Sequence, residues 1–186
     1  LNAADVEARG SLLSALGRIG GEKAQAILRE SLKDQDAETR KAAIRALASA
    51  ESGAPAPEMK AIAETDTDAA VRTLALRAWI EAIAKDEQRP GAETAAQLRQ
   101  ALALAKRPDE KHSILSKLAK IPHPAALSLA EEIADKSVEA EAKAAAEQIL
   151  AGLGPSFPLE NALALRAKDA RIHGEGAKYE SAKNRD

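Results

Sequence analysis

Three Asp–Arg pairs stand four residues apart: Asp5/Arg9, Asp36/Arg40 and Asp68/Arg72. Four residues is about one helical turn, so each pair shares a helix face. A row of guanidinium groups on such a face could bind anions. A structural task explains the row better, because a binding site is needed once and an aligning device is needed in every unit. Each Arg is then expected to satisfy turn carbonyls and the Asp of its own or a neighbouring unit.

The other residues that could do chemistry are sparse. The run Gly17-Arg18-Ile19-Gly20-Gly21 has the glycines of a phosphate loop. It follows a helical pattern rather than a strand and lacks the Lys-Ser/Thr ending, so a helix-ending turn is expected. Glu131 and Glu132 are neighbours. Adjacent helical positions point about 100° apart, so these carboxylates do not converge as an acid/base pair. The three histidines, His112, His123 and His173, have no second ligand at metal-binding spacing. His123 lies between Pro122 and Pro124 and reads as a turn residue. The sequence therefore predicts no catalytic, cofactor-binding or metal-binding residue, and no cofactor.

The elements that carry these residues are helices. Among 186 residues the only aromatic ones are Trp79, Phe157 and Tyr179. The strong helix formers Ala, Leu, Glu, Lys, Arg and Gln dominate. Lys and Arg number 27 against 29 Asp and Glu, a formal charge of -2. That balance argues against a nucleic-acid partner. The absence of cysteine rules out disulfides and thiolate zinc sites. No apolar run approaches the roughly 20 residues of a membrane helix, so no membrane insertion is expected.

The chain repeats. A basic anchor at Arg9, Arg40, Arg72 and Lys111 gives way to Ala142 in the fifth unit. Seven residues past the anchor come Leu16, Leu47, Trp79, Leu118 and Ile149; four past it come Leu13, Ile44, Leu76, Leu115 and Ala146. Three past it come Leu12, Ala43, Ala75, Ile114 and Ala145. Offsets of 3, 4 and 7 define one helix face, so five equivalent helices share a buried stripe. Trp79 is read as core filling. Shorter stripes follow: Ala24, Ile27, Leu28 and Leu32; Met59, Ile62 and Ala63; Leu98, Leu102 and Ala105; Leu127, Ala130, Ile133 and Ala134. Gly20-Gly21, 53–57, Pro90-Gly91 and Pro122 with Pro124 separate the paired helices. Acidic or polar turns lead into the next unit, and Asp36 and Asp68 suit helix N-caps. The third unit is longer, with the surplus placed in its first helix and the 85–93 connection.

Asp36-Ala-Glu-Thr-Arg40-Lys-Ala-Ala-Ile44-Arg-Ala-Leu47 resembles the first helix of a HEAT-like repeat of the short bacterial type. Asp5 to Gly21 and Asp68-Ala-Ala-Val71-Arg72 resemble the same opening. The resemblance covers roughly residues 4–153. It implies an all-α, right-handed α-solenoid of about four HEAT-like helix pairs plus a closing helix, over residues 1–154. The fourth unit departs from the pattern, with Arg107 in place of Asp and Lys111 in place of Arg.

Residues 155–186 differ in kind and are expected to form a capping tail or linker. Pro155 and Pro158 block helix continuation, and Gly174 and Gly176 disfavour another repeat. Phe157, Leu159, Leu163 and Leu165 are placed against the closing helix, with extended chain beyond His173. The stretch 165–174, with Tyr179-Glu180 and 184–186, resembles the opening of a β-sandwich module of secreted bacterial proteins. That resemblance implies a missing C-terminal module and a larger, secreted or periplasmic bacterial protein.

Function follows from architecture. The first reading is a non-catalytic protein-interaction or spacer module whose partners are another protein or flanking domains of the same chain. The second is a ligand-binding or lyase/glycosylase-type HEAT-like domain. Alkylpurine DNA glycosylases need a basic groove with aromatic residues, and phycobilin lyases need an aromatic and polar lining. This chain has little of either. Asp5, Arg9, Asp36, Arg40, Asp68 and Arg72 are therefore assigned to repeat alignment.

Overall fold

The computed structural model describes residues 6–50 and 54–154. Nine helices and no strands occur among them: α1 (Val6–Ile19), α2 (Gly21–Ser31), α3 (Ala37–Ser49), α4 (Ala56–Thr65), α5 (Ala69–Lys85), α6 (Gly91–Leu104), α7 (Pro108–Leu118), α8 (Pro124–Glu132) and α9 (Glu139–Leu153). The expectations for residues 155–186, and for Asp5, lie outside the described residues.

The starts of these helices are written in side chains. Asp36 caps α3 by accepting the Thr39 N–H at 2.8 Å. Asp68 caps α5 through the N–H groups of Ala70 and Val71 at 2.8 and 2.9 Å. Proline stands in the first turn of α4, α7 and α8, where its missing N–H costs nothing. In α7 the cap residue is Arg107, and Glu110 supplies the missing carboxylate. Its Oε2 accepts the N–H groups of Lys106 and Arg107 at 2.9 and 3.1 Å. His123 Nδ1 accepts the Ala125 N–H at the start of α8, the turn role expected of it.

The helices form an all-α HEAT-like solenoid. Odd-numbered helices α1, α3, α5, α7 and α9 pack in succession as one layer. The even-numbered helices lie against them, with α4 on α5 and α8 on α9. One hydrophobic core runs from Leu13 to Ile149 without a break. Ile44, Leu47, Trp79, Leu115, Leu118 and Ile149 are all buried in it. The third unit's surplus sits in α5, which has 17 residues against 13 in α3, and in the turn that follows.

Three residues of the expected stripes, Leu12, Ile27 and Ala134, are exposed, and Leu16, Ile62, Leu102, Ile133 and Ala146 are only partly buried. Leu12 and Ile27 are exposed, although Ala43, Ala75, Ile114 and Ala145, the counterparts of Leu12, are buried. Leu12 and Ile27 belong to the first helix pair, which has a neighbouring pair on one side only among the described residues. Ala134 is exposed because α8 stops at Glu132, so it and Ile133 fall past the helix end.

Gly17 is not a turn residue; it lies inside α1. The turn begins at Gly20, whose φ of 68° is a conformation that side chains resist. Gly17 serves close packing instead. A Cβ there would lie 2.7 Å from the Ala46 carbonyl oxygen and 3.1 Å from its Cα. The backbones of α1 and α3 therefore touch at this point.

Gly17→Ala separates two opposing effects. Helix propensity alone would stabilise the variant by about 1 kcal/mol. Contact with rigid backbone should override that gain and give a net loss of roughly 1–3 kcal/mol. The urea unfolding midpoint is the measurement, and a raised midpoint would contradict the close approach of α1 and α3.

Candidate functional site

Three of the basic anchors, Arg9, Arg40 and Lys111, meet the turn ahead of the next odd-numbered helix. Arg40 makes the fullest set of bonds. Its Nη1 donates to the carbonyls of Asp34 and Gln35, at 2.8 and 3.0 Å. Its Nε and Nη2 donate to the two carboxylate oxygens of Asp66, at 2.8 and 2.9 Å. Both side chains are nearly buried, at 11% and 9% exposure. One guanidinium thus holds the turn before its own helix and the turn before the next. The fork geometry of arginine suits this double task, which a lysine ammonium could not reproduce.

Arg9 and Lys111 occupy the same place in their units. Arg9 Nη1 lies 3.6 Å from Asp34 Oδ2 and donates to the Thr39 hydroxyl at 3.4 Å. That hydroxyl in turn donates to Asp36 Oδ2 at 2.8 Å, joining α1 to the cap of α3. The Lys111 ammonium donates to Asp135. Arg72 keeps only the first half of the pattern. Its Nη1 donates to the carbonyls of Asp66 and Thr67, at 2.6 and 3.1 Å.

The structure therefore separates the paired residues named from the sequence. Asp36 and Asp68 cap helices, while Arg9, Arg40 and Arg72 bond to the turns. No hydrogen bond or ion pair joins Asp36 to Arg40, or Asp68 to Arg72, among the described residues. The acceptors missing from that list of six are Asp34, Asp66 and Asp135. Asp34 and Asp66 each stand two residues ahead of a capping Asp, a recurrence that could have singled them out. Each also accepts the N–H of that capping residue, at 2.9 and 2.8 Å.

Further pairs stitch consecutive units at the surface. Arg77 reaches Asp109 at 2.5 Å, Lys117 reaches Glu81 at 2.8 Å, and Arg99 grips both oxygens of Glu132. Such exposed pairs each add little stability, but they recur on both layers. They also occupy the clefts between units. A cleft of about 660 Å³ lies between the α5–α6 and α7–α8 turns. Two of its cations are engaged: Lys117 by Glu81, and Arg89 by Asp86 and the Ile83 carbonyl. A cleft of about 340 Å³ is lined by Arg99, Glu132, Lys111 and Asp135, all paired with one another. Another, of about 360 Å³, opens beside Arg72. Among the described residues no helix is long and apolar enough to cross a membrane.

Several carboxylates are held below their ordinary range. The Thr39 hydroxyl, then its N–H, lowers Asp36; the Val71 N–H leads for Asp68; Arg99 leads for Glu132. Asp135 is lowered most, by Lys111 first and then by the N–H and hydroxyl of Ser137.

Removing the Asp66 carboxylate with Asp66→Ala leaves the Nε and Nη2 edge of Arg40 without its acceptor. It should cost roughly 1–3 kcal/mol in urea unfolding. Arg40→Lys should recover little of what Arg40→Ala loses, because a point charge cannot serve both turns. Acid gives the second check. Groups whose folded pKa is lowered contribute stability that is complete above their unfolded values, 3.8 for Asp and 4.5 for Glu, and fades as pH falls through the folded ones. The thermal midpoint should therefore be flat above about pH 5 and fall progressively below pH 4, with a shallower fall in Asp135→Asn.

Comparison with known proteins supports the repeat. Residues 1–80 match the family model described as HEAT repeats. No curated protein and no solved structure matches the chain. The matched stretch holds α1 to α4 and most of α5, including the anchors Arg9, Arg40 and Arg72, and is similar to HEAT repeats over that length.

Proposed function

We infer that this chain is a non-catalytic protein-interaction or spacer module within a larger, secreted or periplasmic bacterial protein. The observation that carries the reading is the single core that runs through all nine described helices. Each unit buries its apolar face against its neighbours, so the array resists bending at any one junction. Such an array presents long side surfaces and holds its two ends at a set separation. The similarity of residues 1–80 to HEAT repeats supports the same reading, since these repeats generally mediate protein interaction or scaffolding.

In this reading Asp5, Arg9, Asp36, Arg40, Asp68 and Arg72 align repeats and take no part in chemistry. The bonds of Arg40 support that role, because they span two turns that belong to successive units. The clefts support it as well: the cations of the 660 Å³ groove that bond to protein are turned toward acids beside them rather than toward one common point.

A spacer must keep its length. The chain has no cysteine, so Arg18→Cys and Lys143→Cys place one dye near each end without competing sites. Both positions are exposed. Single-molecule energy transfer should give one narrow distance distribution that persists until global unfolding. A broad or two-peaked distribution in native buffer would mean that the array hinges, and would overturn the spacer reading.

A further inference from the structure

The anchor row has one empty place. Arg40 and Arg72 are held alike: in each, Nη1 donates to the carbonyls two and one residues ahead of the capping Asp. Their guanidinium planes are therefore fixed by the same two bonds. At Arg40 the remaining edge, Nε and Nη2, carries the Asp66 carboxylate. At Arg72 that edge has no hydrogen bond or ion pair among the described residues.

The reason lies in the turn ahead of α7. The place two residues before its cap, filled by Asp34 and Asp66 in earlier turns, is Ala105. Glu110 has taken over half of the aspartate's work. It accepts the N–H of the capping residue, as Asp66 does for Asp68. It makes no bond to Arg72, so the bridge between units is absent here. What remains is the 360 Å³ cleft, lined by Arg72, Lys106, Arg107, Glu64 and Glu110. Both acids are engaged elsewhere, Glu110 by the two N–H groups and Glu64 by Lys60 at 3.9 Å. Arg107 is engaged by Asp109 at 3.2 Å. Lys106 is exposed and, like the free edge of Arg72, has no side-chain partner among the described residues.

We propose that this cleft is an interaction site for a carboxylate side chain of an acidic protein segment, received by the Nε/Nη2 edge of Arg72 with Lys106 beside it. The proposal rests on the protein-interaction reading above and names the chemistry of its partner. The Asp66 carboxylate on Arg40 shows what the edge is shaped to hold: two parallel bonds to a planar anion. The bound carboxylate would complete the row from outside, in the place that an aspartate of the chain occupies one unit earlier.

Arginine Nε resonances of the intact chain report the test. Acetyl-Ala-Asp-Ala-amide should shift the Arg72 Nε–H signal saturably, while the Arg40 signal stays still because its edge is filled. The asparagine peptide should do nothing. Arg72→Ala should weaken peptide binding, followed through Lys106 amide shifts, by roughly tenfold or more, the worth of losing charge-assisted bonds. Ala105→Asp keeps Arg72 and rebuilds the internal aspartate, so it should also abolish the response. It guards against a merely misfolded Arg72→Ala. Saturation by inorganic phosphate but not by the aspartyl peptide would replace the carboxylate by a phosphoryl group and overturn the assignment. So would shifts that are equal for Asp and Asn peptides, or absent for all. A segment of the chain's own residues 155–186 filling the cleft would show as an Arg72 signal already shifted and insensitive to peptide. That too overturns an outside partner, while leaving the dye distances, and so the spacer reading, untouched.

Discussion

Arg40 touches two turns at once, and the geometry of the array depends on bonds of this kind. A helix pair packed by Ala and Leu alone has many nearly equal ways to slide, since dispersion and burial are not directional. Two bonds to the carbonyls of Asp34 and Gln35 fix the guanidinium relative to its own turn. Two more to Asp66 then fix the next turn relative to the first. The aspartate itself is held by the N–H of Asp68. Register thus passes from turn to turn through side chains whose hydrogen-bond directions are narrow. Burial supplies the stabilisation, and the ion pair selects among the packings that burial would allow.

Much of this was legible beforehand because both periods of a repeat are visible in one chain. The 3, 4, 7 spacing after each anchor marks a helix face whatever its surroundings, and Ile44, Leu47, Ile114 and Leu118 lie where it puts them. Leu12 carries the same local signal and is exposed among the described residues, because burial also needs a neighbour and spacing is silent about neighbours. Gly17 differs from its expected role for a related reason. Glycine near a helix end usually marks a turn, and only the approach of Ala46 from another helix shows that it marks a contact. The arginine row was visible, but the pairing within it was not. Asp36 and Arg40 are one turn apart along a helix, while Asp66 is brought to Arg40 only by the stacking of the next unit.

The fourth unit shows how a repeat absorbs a change of sequence. Arg107 replaces the capping Asp, and Ala105 replaces the aspartate two residues ahead of it that accepts the cap residue's N–H in the preceding turn. Glu110, three residues on and buried at 3% exposure, reaches back to the N–H groups of Lys106 and Arg107, the second being the counterpart of the group that Asp66 serves at Asp68. The carboxylate is conserved in function but moved in space, from the turn into the first turn of the helix. From there it serves the cap and makes no bond to the preceding anchor. The bare edge of Arg72 therefore follows from Ala105 standing where the earlier turns carry an aspartate.

The scarcity of aromatic residues fits the same picture. Alanines at Ala43, Ala75, Ala101, Ala126 and Ala145 let helices approach closely, but each buries little apolar surface. Stability must then come from many shallow contacts with both neighbouring units. A unit with one neighbour among the described residues has fewer of them, and Leu12 and Ile27 of the first pair are exposed. Inner units are doubly supported, and Trp79, at 2% exposure, sits among them in α5. Its ring lies 5.8 Å below the Lys60 ammonium, so even the largest side chain of the core carries a cation over its face. In a fold with so little apolar surface to spend, placement of charge at the junctions governs which packing is reached, and a junction whose charge is incomplete is where an outside group has most to add.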